Sequence, residues 1–65
     1  MKKYLVISYS WREGMDERLD FQTKREAVAF GRRISPDYDG FAILDTQRRR
    51  VVFISGDFPV WQLSI

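Results

Sequence analysis

Thr23-Lys24-Arg25-Glu26-Ala27-Val28-Ala29-Phe30-Gly31-Arg32-Arg33-Ile34 is the one stretch of this chain that carries a full set of helix signals. Thr23 offers an N-cap hydroxyl to the Glu26 backbone N–H, and Glu26 can reach back to the Thr23 N–H, the reciprocal arrangement of a capping box. Ala27, Phe30, Gly31 and Ile34 recur at the i, i+3, i+4, i+7 spacing of a buried stripe, with Val28 at its margin. Arg32 and Arg33 fall in the last turn, where cations meet the negative end of the helix dipole. Pro36 disfavours helical geometry at Ser35 and predicts the stop there. Gly31 opposes the helix by about 1 kcal/mol relative to Ala, and its place on the stripe predicts close approach to a strand. At about three turns the helix is marginal alone, so it needs a sheet to lie on.

Outward from this helix, both flanks read as extended chain. Tyr4 to Trp11 alternates, Leu5, Ile7, Tyr9 and Trp11 against Tyr4, Val6, Ser8 and Ser10. Arg12 to Glu17, with Gly14 inside, predicts a hairpin loop. Arg18 to Phe21 returns as a short edge strand with Leu19 and Phe21 inward. After the helix, Pro36-Asp37-Tyr38-Asp39-Gly40 is a turn cluster. Phe41 to Asp45 and Arg50 to Ser55 are strands joined by a turn at Thr46 to Arg49. In the last strand Val51 and Phe53 are expected to oppose Val52 and Ile54. The tail from Phe58 to Ile65 has two readings. Asp57 as cap and Pro59 in the first turn predict a short helical turn, while Trp61, Leu63 and Ile65 alternate like a strand; a short helical turn or irregular segment packed on the body is preferred. The expected fold is a single α+β domain spanning 1–65. It is a two-layer sandwich of order ββαββ, with a four-stranded, mainly antiparallel sheet and one helix on one face.

Composition narrows the chemistry. The chain has 65 residues, no cysteine and no histidine. Disulfides, thiolate metal sites and a Ser-His triad within the chain are excluded, and no cofactor or metal is expected. The lack of cysteine is compatible with a reducing, cytoplasmic setting, which is expected. The apolar run after Lys2 and Lys3 is broken by Ser8 and Ser10, too short for a signal peptide or membrane span. The net charge is only +2. Acidic and basic blocks alternate along the chain, unlike a nucleic-acid-binding tail. Gly14, Gly31, Gly40 and Gly56 are isolated, so there is no phosphate-binding glycine loop. The serines lack their usual base. Asp16, Glu17 and Asp20, or Asp37 and Asp39, are read as solvated or turn-forming residues in preference to a cation site. An enzyme is not expected.

One helix covers one face of a sheet, yet the strands are apolar on both. Either the tail, through Phe58, Trp61, Leu63 and Ile65, covers the second face, or another protein or second copy of this chain does. The second reading names Tyr4, Val6, Leu44, Val52 and Ile54 as the interface. The expected function is therefore binding, through contact with a protein partner or self-association. The alternative is nucleic-acid binding through Arg25, Arg32 and Arg33 on the helix and Arg48, Arg49 and Arg50 on the second hairpin, with Tyr4, Tyr38 and Trp61 as stacking surfaces.

Phe21-Gln22-Thr23-Lys24-Arg25-Glu26-Ala27 resembles the strand-to-helix junction of the arm-type DNA-binding domains of phage integrases, which would imply DNA binding. It is also similar to junctions in small uncharacterised bacterial domains with two strands before a helix. The match covers about a tenth of the chain, and helix capping accounts for it. The two strands after the helix depart from the arm-type pattern, so no family is assigned. Small accessory proteins of phages or bacteria often share this size and lack of catalytic groups, an association only.

Overall fold

The computed structural model describes residues 2–63. Strands β1 (Tyr4–Ser10), β2 (Gly14–Phe21), β3 (Gly40–Asp45) and β4 (Arg50–Gly56) form one sheet in the order β2-β1-β3-β4, and helix α1 (Lys24–Ile34) lies between β2 and β3 in the chain. All neighbouring strands are antiparallel. The α+β order read from sequence is the observed one. The two most apolar strands, β1 and β3, take the centre, where both faces are covered. The charged β2 and the Arg-led β4 form the edges.

The helix begins as its sequence dictates. Thr23 Oγ1 accepts the Glu26 N–H at 3.2 Å and donates to Glu26 Oε1 at 2.9 Å. The box thus closes side chain to side chain, not through the Thr23 N–H. Helix α1 packs on β1, β3 and β2. Val6, Ala27, Phe41 and Ile43 form the core between helix and sheet, with Tyr4, Phe21, Phe30 and Ile34 around them. Gly31 is buried on this stripe, and a Cβ there would collide with the Phe41 ring. The close approach inferred from its position is real.

The second face has its own core. Leu5, Ile7 and Ala42 are buried against Phe58, with Tyr9, Met15, Leu44, Val51 and Leu63 packed around them. The tail therefore covers the centre of this face. Its turn spans Val60–Gln62 as a 3-10 helix, with Pro59 at the N-cap and no side-chain cap. Asp57 does not cap it. The Asp57 N–H donates instead to the Asp39 carbonyl at 3.0 Å. Trp61, expected in this layer, is 79% exposed; Ile65, also expected there, lies outside the described residues.

Several boundaries differ from the sequence reading, each for a local reason. The first strand ends at Ser10 and the second starts at Gly14, so the loop is three residues, Trp11 to Glu13. Gly14 adopts φ +80°, which closes the tight turn and removes Trp11 from the sheet. Leu19, expected inward, is exposed, because β2 carries an extra residue opposite the Leu5-to-Ile7 step. Arg18, expected outward, is half-buried and its Nε donates to Ser8 Oγ at 2.8 Å. Alternation in β4 also fails. Phe53 pairs with Ile43 and Val51 with Leu44, so Val52 is the extra residue of a bulge. Val51 and Phe53 then pack in opposite cores, while Val52 and Phe53 share one. Ser35 keeps helical φ −56°, ψ −31°, and Pro36 sits within a 3-10 turn, Ser35–Asp37, that continues from α1.

Candidate functional site

Register gathers the connections at two ends of the sheet. Ser10 pairs with Gly14, Tyr9 with Gly40, and Gly40 with Gly56, so the first hairpin loop, the 3-10 turn after α1 and the tail meet at one end. Asp39 binds them together. Its Oδ2 accepts the Trp11 N–H at 2.8 Å, its N–H donates to the Tyr9 carbonyl at 2.9 Å, and its carbonyl takes the Asp57 N–H. Two hollows lie either side of this clamp. A polar one of about 230 Å³ is walled by Trp11, Pro36 and Tyr38; a larger one of about 390 Å³ is walled by Tyr9, Phe58, Pro59 and Trp61. Trp11 is 71% exposed and Trp61 79%. Glu13, Asp37, Asp39 and Asp57 are the exposed carboxylates of this end.

The opposite end is basic. Tyr4 pairs with Phe21 and with Asp45, and Asp45 with Arg50. The start of β1, the start of α1 and the second hairpin therefore lie together, and with them Lys2, Lys3, Lys24, Arg25, Arg48, Arg49 and Arg50. Asp45, buried in their midst, is committed to structure. Its Oδ1 accepts the N–H groups of Gln47 at 3.0 Å and Arg48 at 3.1 Å, and Lys3 Nζ stands 3.9 Å from Oδ2. The Arg48 N–H first, then the Gln47 N–H and the Lys3 and Arg48 charges, hold its carboxyl below the usual carboxylate value, against the opposing effect of burial. Of the arginines named from sequence, Arg25 thus joins Arg48, Arg49 and Arg50. Arg32 and Arg33 sit roughly 10 Å further along the helix.

A third feature follows from where the helix lies. With α1 over β1, β3 and β2, the helix-side surface of β4 is left partly open, and a groove of about 510 Å³ runs between them. Val28, Ala29 and Phe53 line it, with Lys24, Arg25 and Arg32. Phe53 is held by stacking on Phe41, ring centroids 5.7 Å apart.

The five residues named for a sheet-face interface do not share a face. Tyr4, Val6 and Val52 belong to the core under the helix. Leu44 packs in the second core, and Ile54, paired with the second-face residue Ala42, is 46% exposed. The β1–β3 register sets Leu44 opposite Leu5 and not on the face of Tyr4 and Val6, and the bulge at Val52 puts Val52 and Ile54 on opposite faces; no local pattern announces either. Trp11 is missed as a surface residue because it continues the alternating pattern of the first strand, whereas Trp61, expected both in the covering tail and as a stacking surface, is found only in solvent. Gly14 after Trp11 and Pro59 before Trp61 were the signals of departure from alternation.

Three of the five acidic residues weighed for a cation have other partners. Asp16 pairs with Arg18 at 3.3 Å, Asp20 accepts the Lys2 N–H at 2.8 Å, and Asp39 holds the hairpin. Among the described residues no group of His, Cys, Asp or Glu is placed to hold a metal. No helix among them is long and apolar enough to cross a membrane. Compared with protein-family models, curated proteins and solved structures, the chain matches none.

Proposed function

We propose that this chain is a cytoplasmic, non-enzymatic binding domain that contacts a protein partner through its tryptophan-bearing end. The observation that carries this reading is the exposure of Trp11 and Trp61 at one end of a chain this small. A buried tryptophan removes roughly 150–250 Å² from water, worth several kcal/mol at about 25 cal/mol per Å². A small domain needs nearly all its apolar area for folding. Two indoles left in solvent beside hollows are area held for a partner, and tryptophan is the residue most enriched at binding hot spots. Arg12 already stands over the Trp11 ring, 5.2 Å from its centroid, and the carboxylates Glu13, Asp37, Asp39 and Asp57 of this end favour a partner surface with lysine or arginine near apolar groups.

The test uses Trp11→Ala and Trp61→Ala. Neither side chain belongs to the core, so unfolding free energies should change by less than about 0.5 kcal/mol. A partner captured from nuclease-treated lysate by the unaltered protein, purified and rebound, should bind either variant at least tenfold more weakly. Equal binding by both variants overturns the proposal. Light scattering over a dilution series reads the case in which the partner is a second copy.

Nucleic-acid binding is the second reading, favoured by one observation: Arg25 lies at the same end of the sheet as Arg48, Arg49 and Arg50, with Lys2, Lys3 and Lys24. Retention of an oligonucleotide at low salt, flattened by replacing Arg48, Arg49 and Arg50 with Ala, would support it. No retention at low salt ends it.

A further inference from the structure

We infer that the groove between α1 and β4 docks a short amphipathic helix of another protein, acidic on its flanks and apolar along one stripe. Three observations combine. The floor is apolar, made by Val28, Ala29 and the Phe53 ring, and lies open because α1 sits mainly over β1, β3 and β2. The rim is cationic, since Lys24 and Arg25 in the first turn and Arg32 two turns on are exposed on one side of α1. Among the described residues no carboxylate lies within 4.0 Å of these three side chains, the ion pairs being Lys3 with Asp45 and Arg18 with Asp16. Three unneutralised cations around apolar surface are complementary to carboxylates flanking an apolar stripe.

The backbone selects a helix over a strand as the occupant. An added strand needs an unbroken ladder of N–H and C=O groups along the edge. The bulge at Val52 interrupts β4 beside the groove, the device by which edge strands resist pairing. A helix needs no such ladder. From Lys24 to Arg32 the rim runs about 12 Å at 1.5 Å per residue, the length of roughly two helical turns. Apolar residues at i, i+3, i+4 and i+7 would meet the floor, and glutamates beside them the rim. A phosphate backbone would be matched by the rim but not by the floor.

This site is separate from the tryptophan-bearing end, and either can fail alone. The probe is a synthetic peptide with Leu at the stripe positions of a two- to three-turn helix and Glu at its flanks. Titrated into isotope-labelled full-length protein, it should shift the amide signals of Val28, Ala29, Arg32 and Phe53 saturably, and more weakly as salt rises. A peptide with Lys replacing Glu should not. The double variant Arg25→Glu, Arg32→Glu, at exposed positions, should lose at least tenfold in affinity for the Glu peptide and gain affinity for the Lys peptide. Trp11→Ala and Trp61→Ala should leave the titration unchanged. Absence of saturable shifts, equal binding of both peptides, or tighter binding of a single-stranded oligonucleotide to the same residues would overturn the inference.

Discussion

Gly31 and Phe41 set the distance between helix and sheet. In an isolated helix Gly31→Ala would gain about 1 kcal/mol. Here the added methyl enters a ring that is itself fully buried and stacked on Phe53, so the ring cannot swing aside. Gly31→Ala should therefore destabilise the protein by roughly 1–3 kcal/mol, the usual range for overpacking. In a Phe41→Leu background the same change should cost much less, and urea denaturation of the four proteins reads the coupling. Asp45 supplies a pH dependence. Its pKa in the folded chain lies below the unfolded value of 3.8, so its contribution is present in full well above that value. The contribution is lost as pH falls through 3.8 toward the lower folded pKa. Acid unfolding followed by circular dichroism should show a loss over that window that Asp45→Asn removes, with the native protein the more stable at neutral pH.

The second hairpin carries a strained residue at its tip. Arg49 adopts φ +57°, and its N–H donates to the Asp45 carbonyl at 2.7 Å. A left-handed conformation costs a residue with a Cβ roughly 1–2 kcal/mol. Arg49→Gly keeps the turn and should raise the unfolding free energy by about 1 kcal/mol, less the extra chain entropy of glycine; an unchanged or lower midpoint would refute this. The tail is likewise an element with a definite role. Phe58 is buried against Leu5, Ile7 and Ala42 and meets Tyr9 edge-on at 6.3 Å. Phe58→Ala should cost on the order of 3–5 kcal/mol, enough to unfold much of a domain near the lower size limit. Trp61→Ala, three residues on, should cost almost nothing, and thermal denaturation of the pair separates structural tail from free surface. The bulges at β2 and β4 belong to the same level, since both edges are interrupted while the central β1–β3 register runs unbroken. Edges so built discourage sheet extension, which directs attention to the ends and the groove.

Taken together, the sheet has one basic end, one end bearing tryptophans and carboxylates, and two cores of unequal completeness. Ile54 lies at the margin of the second core and should accept Lys with a change under about 0.5 kcal/mol, whereas Leu5→Lys at its centre should unfold the protein. The helix, the four strands and their succession along the chain were legible because capping, periodicity and turn chemistry are local, and each agreed with the others from Thr23 outward. Which strands neighbour one another in the sheet was decided by the tertiary structure. Gly31's contact with a strand was legible for the same reason, as a helix-breaking residue kept on a buried stripe. The site was legible only in its ingredients. Arg25 and the arginines from Arg48 to Arg50 could be named from sequence, but their common end depends on antiparallel pairing across more than twenty residues of chain. The face presented by each β4 residue depends on one extra residue at Val52, because a one-residue slip reverses every side chain beyond it. Trp61 reaches solvent because Asp39 holds the tail at Asp57 and Phe58 takes the buried position first. Local pattern says that a residue is apolar; which apolar residues are left for a partner is settled by competition for the limited area of two small cores.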